Sequence, residues 1–105
     1  MTGKELAMTF TIGKERLTAV DPHGVPMGYV SYPQIRAGLV NVSEVVTFPG
    51  FRDQGVVEAL LGALFAHLIQ TGRKAALTCP LAQQYLETHS RWKSVLPDSI
   101  HFTTY

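Results

Sequence analysis

The segment from residue 39 to residue 79 constrains the fold most, because it predicts a strand, a helix and a second strand in succession. Residues 39–48, LVNVSEVVTF, are rich in valine and predict a strand that ends before Pro49. Residues 74–79, KAALTC, predict a shorter strand. This order implies a right-handed crossover between two parallel strands. The helix between them is predicted over 54–71 from apolar residues at helical spacing, namely Val57, Leu60, Leu61, Leu64, Phe65 and Leu68.

The rest of the chain adds further strands and a second helix to this unit. Residues 6–12, 16–20 and 26–35 are rich in β-forming residues, and residues 21–24, DPHG, have the proline and glycine of a hairpin turn. Pro80 opens a helix that extends to about residue 87. We therefore predict an α/β (α+β) fold with a twisted, mostly antiparallel sheet, a central parallel strand pair and two main helices.

Composition limits the classes of protein to which the chain can belong. A length of 105 residues predicts a single domain over 1–105, and 46% hydrophobic with 16% charged residues is typical of globular proteins. A net charge of +1 gives no electrostatic signature of nucleic-acid or membrane binding. The lone Cys79 excludes an intrachain disulfide, and there is no signal-peptide pattern or membrane-span-length apolar segment. We expect a soluble, cytoplasmic protein.

The start of the predicted helix has the composition of an anion site. Arg52-Asp53-Gln54-Gly55 follows directly after the strand and its turn. The first amides of a helix have no internal partner, and the helix dipole adds partial positive charge there. Gly55 would let an anion approach the backbone, and Arg52 would add a cation, so the segment suits a diphosphate. An ordinary turn with solvated polar residues explains the same composition equally well.

Three patterns in the sequence resemble a known family. Arg52-x-x-Gly55-x-Val57 resembles the acetyl-CoA motif of the GNAT superfamily of N-acetyltransferases, Gln/Arg-x-x-Gly-x-Gly/Ala. Ser43-Glu44-Val45 is similar to the His-Thr-Glu-Val of the central strand in its smallest members, the YjdJ-type acetyltransferases. Residues 77–92, LTCPLAQQYLETHSRW, resemble the signature of that same group, with matching residues at Cys79, Pro80, Tyr85, His89 and Trp92.

The resemblance covers about residues 28–96 and implies a GNAT-like acyl-CoA N-acyltransferase fold. It implies acetyl-CoA (coenzyme A) as cofactor and transfer of an acetyl group to a primary amine on a small molecule or a protein. The cofactor-binding residues that it implies are Val45, Val46, Thr47 and Phe48 along the pantetheine arm, Arg52, Asp53, Gln54, Gly55, Val56 and Val57 at the diphosphate, and Cys79, Tyr85 and His89 beyond them.

Glu44, Cys79 and Tyr85 are the candidate catalytic residues. A carboxylate in an apolar strand needs a partner or a raised pKa, which makes Glu44 a candidate general base unless it faces solvent. Cys79 could line the pantetheine tunnel, act as a nucleophile or fill the core. Tyr85 could be a general acid, a hydrogen-bonding partner of the cofactor or a packing aromatic. His23 and His101 lack metal-ligand spacing, so we expect no metal site.

Two other functions remain open at this point. Val57 and Asp53 depart from the motif, so the chain could be a catalytically weak CoA-binding or acyl-CoA-binding module. It could also keep the fold and bind a protein through an open sheet face or edge. The first strands are joined by short turns without the helices that enclose the acceptor in larger GNAT enzymes, so the acceptor side should be open. We expect a monomer or weak dimer.

Overall fold

The structure is a computed structural model and describes residues 8–52 and 54–97. That part of the chain forms seven strands, two α-helices and one 3₁₀ helix. In chain order they are β1 (Thr9–Ile12), β2 (Arg16–Val20), β3 (Pro26–Ser31), β4 (Gln34–Arg36), β5 (Leu39–Val42), β6 (Glu44–Thr47), α1 (Val56–Gln70), β7 (Lys74–Leu77), α2 (Pro80–Thr88) and the 3₁₀ helix (Ser90–Val95).

The strands form two sheets that meet at Ser43. One sheet has the order β1-β2-β3-β6, and all of its neighbours are antiparallel. The other has the order β4-β5-β7, in which β5 and β7 are parallel and α1 is the crossover between them. The mostly antiparallel arrangement, the parallel pair and the two helices are therefore as predicted. The fold places the parallel pair directly beside the end of the larger sheet.

The single strand predicted over residues 39–48 is wrong in one respect, because the chain changes sheets at Ser43. The Ser43 amide donates to the carbonyl of Ser31 at 3.0 Å, while Ser31 is also the register partner of Glu44. Two consecutive residues thus oppose one residue of β3, which is the arrangement of a β-bulge. The bulge divides the segment into β5, which pairs with β7, and β6, which pairs with β3.

Helix α1 covers the face of the larger sheet that carries Leu17, Ala19 and Val30. At the start of α1 the side chain of Val56 is buried. Val57, which we expected on the apolar face, is half-buried. Gly28 of β3 allows β6 and α1 to approach this strand closely. A Cβ at Gly28 would clash with the Val46 carbonyl oxygen and would lie 3.1 Å from a Val56 methyl carbon. The other buried side chains of α1 are Leu60, Leu61, Leu64, Phe65 and Leu68.

Helix α2 follows β7 and packs against α1. Pro80 occupies its first turn, as predicted, and the helix ends at Thr88, one residue beyond the predicted end. The Phe65 ring of α1 lies 5.9 Å from the Tyr85 ring of α2 and 6.3 Å from the Trp92 ring of the 3₁₀ helix, centroid to centroid. No helix among residues 8–52 and 54–97 has the length and apolar character needed to cross a membrane.

Candidate functional site

The parallel strands part where the chain passes from β5 to β6. Their register runs from Leu39↔Lys74 to Val42↔Leu77 and then stops. The Val42 carbonyl accepts two backbone hydrogen bonds, from the amides of Thr78 and Cys79, each at 3.1 Å. After that point the segment that follows β7 turns into α2, while the segment that follows β5 continues as β6 and pairs with β3. Strand pairing is therefore interrupted between β6 and the start of α2, although Cα atoms of the two elements still lie within 8 Å of each other, and we call this unpaired stretch the strand gap.

The backbone of β6 presents hydrogen-bonding groups to this gap. The Phe48 amide donates to the Met27 carbonyl at 2.9 Å, so this pair is a hydrogen-bonded pair of the antiparallel ladder. Hydrogen-bonded and non-hydrogen-bonded pairs alternate, which directs the N–H and C=O groups of Val45 and Thr47 away from β3. The turn and loop hydrogen bonds of the described residues do not use those groups. Of the four residues predicted along the pantetheine arm, Val45 and Thr47 thus have the free edge.

The N-terminus of α1 lies at the opposite end of β6 from the bulge. Gly55 is the N-cap residue, has φ of 70° and makes no side-chain capping hydrogen bond, so the first helical amides remain available to a ligand. The Gln54 amide donates to the Phe51 carbonyl at 3.3 Å, whereas the turn and loop hydrogen bonds of the described residues use no amide of Gly55, Val56 or Val57. Arg52 is exposed beside this turn, whereas Asp53 lies outside the described residues.

An open cleft of about 410 Å³ separates the first turn of α1 from α2. Val57 and Glu58 line it from α1, and α2 contributes residues at helical spacing. Its wall includes the carboxylates of Glu58 and Glu87 and no lysine or arginine, so the cleft suits a neutral or cationic group better than a phosphate. The residues from α2 and its end are Leu81, Gln84, Tyr85, Glu87, Thr88 and His89.

Tyr85 and His89, which we predicted as cofactor-binding residues, both line this cleft. Their rings are stacked, with centroids 4.0 Å apart and planes at 15°. The His89 Nδ1 atom lies 2.9 Å from both the Tyr85 carbonyl oxygen and the Thr88 hydroxyl oxygen, and a proton on Nδ1 would satisfy the carbonyl. With the proton on Nδ1, Nε2 is the ring nitrogen that can accept a hydrogen bond. The Tyr85 hydroxyl faces α1 at Gly62, where a Cβ would lie 3.1 Å from it.

Cys79 is buried with 4% exposure and caps the N-terminus of α2. In the described part of the chain no hydrogen bond joins its thiol to His89. A nucleophilic thiol needs a base or another activating group, and no described hydrogen bond supplies one to Cys79. The geometry favours the tunnel-lining and core interpretations of this residue over the nucleophilic one.

Glu44 begins β6 at the bulge, and its position differs from the one that the apolar strand suggested. The side chain is exposed rather than buried. It does have a partner, because the Tyr29 hydroxyl donates to the Glu44 Oε2 atom at 3.2 Å. The carboxylate therefore lies at the end of the free β6 edge, close to the point where the parallel strands part.

Several cleft and sheet residues were missed by sequence reasoning. Leu81, Gln84 and Thr88 share the face of α2 that carries Tyr85, and their spacing of three, four and seven residues was visible in the sequence. Tyr29 gave no such signal, since its contact with Glu44 depends on how β3 and β6 align. Within residues 8–52 and 54–97, no group of three or more His, Cys, Asp or Glu side chains could hold a metal ion.

Comparison with known proteins gives one family match and several similar folds. A family model described as GCN5-related N-acetyl-transferase matches residues 16–95, which include β2 to the 3₁₀ helix and the whole candidate site. No curated protein sequence matches the chain significantly.

Solved structures show the same fold at low sequence identity. A GCN5-like protein from Staphylococcus aureus, assigned as an N-acetyltransferase, aligns with a TM-score of 0.68 and 18% identity over 94% of this chain and 97% of its own. A protein from Deinococcus radiodurans R1, assigned as an acetyltransferase, aligns with a TM-score of 0.52 and 16% identity over 86% of this chain and 61% of its own. The predicted GNAT-like fold is thus confirmed.

Proposed function

The chain belongs to the GCN5-related N-acetyltransferase family, and we propose that it is an acetyl-CoA-dependent enzyme that transfers an acetyl group to a primary amine. We also propose that it is one of the YjdJ-type members of this family. A reducing compartment such as the cytoplasm suits its lone buried thiol.

The observation that carries this proposal is the gap beside the free edge of β6. A pantetheine arm contains two amide groups, which can pair with the outward N–H and C=O groups of Val45 and Thr47 as an added strand would. Because β7 leaves the sheet at Leu77, no described strand competes for that edge. The free edge is what a bound cofactor would require.

The charges near the gap favour one direction for the cofactor. We place the diphosphate at the amides of Gly55, Val56 and Val57, with Arg52 as the nearby cation. The side chain of Val56 is buried, so only its amide would face the diphosphate. The reactive end of the arm would then lie toward the bulge.

The cleft between α1 and α2 would take an uncharged part of the cofactor. Glu58 and Glu87 make its wall unfavourable for the phosphates. Tyr85 and His89 offer a stacked aromatic surface, and His89 leaves its Nε2 atom available to a hydrogen-bonding group. We assign both residues to cofactor binding on this ground.

The bound acetyl-CoA supplies an activated thioester, and the protein's residues supply positioning and proton transfer. Glu44 would accept a proton from the acceptor amine as the amine nitrogen attacks, and its exposure leaves it accessible to an amine from solvent. The Tyr85 hydroxyl faces α1 at Gly62, so we assign Tyr85 to cofactor binding, and the departing thiolate would take its proton from solvent. Cys79 would line the tunnel and take no covalent part.

Calorimetry with acetyl-CoA and with CoA tests binding, and Gly55→Ala tests where the diphosphate lies. A Cβ at Gly55, the N-cap residue of α1, meets nothing within 4 Å, so a methyl group would project into open space. We expect Gly55→Ala to weaken binding of both ligands about tenfold or more, since it would obstruct the approach of the anion.

Gly24→Ala is the matched control for this experiment. Gly24 also has a positive φ, 82° against 70° at Gly55, and open space at its Cβ, but it belongs to the β2–β3 turn. Both substitutions carry a similar backbone strain of about 1–2 kcal/mol. Equal affinity in the two variants would remove the diphosphate from Gly55.

A thiol-release assay across a panel of amines, with mass spectrometry of the products, separates the enzyme from its two alternatives. Release of CoA together with an acetylated amine supports the transferase. Tight cofactor binding without turnover would leave a CoA-binding module, for which the replacement of the motif's final small residue by Val57 gives a physical reason. Absence of cofactor binding would favour a protein-interaction domain.

A further inference from the structure

The side chain that holds Glu44 comes from the neighbouring strand β3. Tyr29 pairs with Val46 and Ser31 pairs with Glu44, so Tyr29 and Glu44 lie diagonally on the same face of the sheet. The Tyr29 hydroxyl donates to the Glu44 Oε2 atom at 3.2 Å. This contact occupies one carboxylate oxygen and leaves Oε1 as the atom available to an incoming amine.

Tyr29 is itself held by residues from two other parts of the sheet. The Arg16 guanidinium carbon of β2 lies 3.9 Å from the centre of the Tyr29 ring, a cation–π arrangement. The Phe48 ring, just beyond β6, lies 5.9 Å from the Tyr29 ring at an angle of 57°. The ring thus contacts groups on both sides of β3, which fixes the direction of its hydroxyl.

We propose that Tyr29 is the positioning residue for the Glu44 general base, with Arg16 and Phe48 holding its ring. This inference rests on the proposed acetyltransferase function. An exposed glutamate on a strand has several rotamers of similar energy, which place its carboxylate at different points. A fixed hydroxyl selects one of them, and correct placement of a catalytic group contributes directly to the rate.

The test compares four proteins: the wild type, Tyr29→Phe, Glu44→Gln and the double variant. Tyr29→Phe removes the hydroxyl and keeps the ring that Arg16 and Phe48 contact. We expect it to lower kcat about tenfold while KM for acetyl-CoA stays within about twofold, because the free edge of β6 and the N-terminus of α1 are unaltered. In the Glu44→Gln background the same substitution should have no further effect on kcat.

Tyr32→Phe is the control for loss of a tyrosine hydroxyl from the same part of the chain. Its hydroxyl donates to the Gly13 carbonyl and not to Glu44, so kcat should be unchanged. A second readout is the carbon-13 NMR signal of the Glu44 carboxyl group, which should move in Tyr29→Phe and stay in place in Tyr32→Phe.

Three results would overturn the inference. They are an unchanged kcat in Tyr29→Phe, an equal loss in both backgrounds, or a Glu44 carboxyl signal that ignores the substitution. These results differ from a failure of the proposed function, in which the wild type itself would acetylate no amine.

Discussion

At the scale of single residues, Glu44 and Cys79 represent two different chemical routes. Direct transfer needs a base for the amine, and Glu44 is exposed at the end of the free strand edge. Transfer through an enzyme thioester needs an activated thiol, but Cys79 is buried and has no hydrogen bond to His89 among the described contacts. The residue after it, Pro80, has no N–H to stabilise an oxyanion at that cysteine. The local chemistry favours direct transfer.

We expect Glu44→Gln to lower kcat by a factor of about 10²–10⁴, the usual loss when a general base is removed. Cys79→Ala should lower it less than about tenfold, because the substitution removes one buried sulfur atom and no proton acceptor. Steady-state kinetics with a working amine measures both. The direct route fails if Cys79→Ala abolishes turnover and the wild type carries one acetyl group on Cys79 after incubation with acetyl-CoA alone.

At the scale of elements, the close approach of β3, β6 and α1 depends on one glycine. A Cβ at Gly28 would lie 2.3 Å from the Val46 carbonyl oxygen and 3.2 Å from the Thr47 Cα. Both atoms belong to backbone that cannot rotate away as a side chain would. Since β6 is also the strand with the free edge, a side chain at Gly28 would displace the backbone proposed to bind the cofactor.

We expect Gly28→Ala to lower the free energy of unfolding by about 3 kcal/mol, the upper range of overpacking costs. Gly38→Ala is the control, since a Cβ there meets nothing within 4 Å and only its φ of 78° is unfavourable. Its cost should be about 1 kcal/mol. Urea unfolding of both variants measures the difference, and equal costs would show that β3 and β6 separate without penalty.

The sequence predicted helices and turns better than strand boundaries, for a physical reason. The spacing of Leu60, Leu64 and Leu68 is a local property, and it located α1 to within two residues at each end. The division of residues 39–48 depends instead on Ser31, a residue of another strand that accepts the hydrogen bond of the bulge. No periodicity within the segment itself records that pairing.

The same distinction applies to the candidate site. The motif located Gly55 at the helix N-terminus, because a glycine beside unpaired amides is a local feature. The position of Tyr29 over Glu44 was out of reach, since it follows from the register of two strands that are distant in sequence. The assignment of site residues from the motif stays a prediction until a ligand is bound.

At the scale of the whole molecule, the two faces of the larger sheet have different surroundings. Helix α1 buries one face, where Leu17 and Val30 are fully covered. The opposite face carries Arg16, Tyr29 and Glu44, which are exposed or half-buried. An open acceptor side stays a prediction, and this face would leave room for an amine on either a small molecule or a protein.

The stability of the whole fold should depend on alkaline pH through Tyr32. This side chain is fully buried, and its hydroxyl donates to the Gly13 carbonyl at 2.7 Å, which joins the β1–β2 turn to the chain between β3 and β4. Burial raises the pKa of Tyr32 above its ordinary value of 10.0, although the nearby Arg73 acts in the opposite direction. The folded protein therefore holds this proton more tightly than the unfolded chain does.

A raised pKa gives stability that is fully present below the unfolded value and is lost as the pH rises through the folded value. We expect Tyr32→Phe to cost about 1 kcal/mol at pH 7, the typical worth of one hydrogen bond. Above pH 10.0 the wild type should lose stability through this group and the variant should not, so the difference between them should shrink. Urea unfolding between neutral and alkaline pH measures it. A constant difference would mean that Tyr32 ionises as easily in the folded protein as in the unfolded chain, and that its burial does not couple the fold to pH.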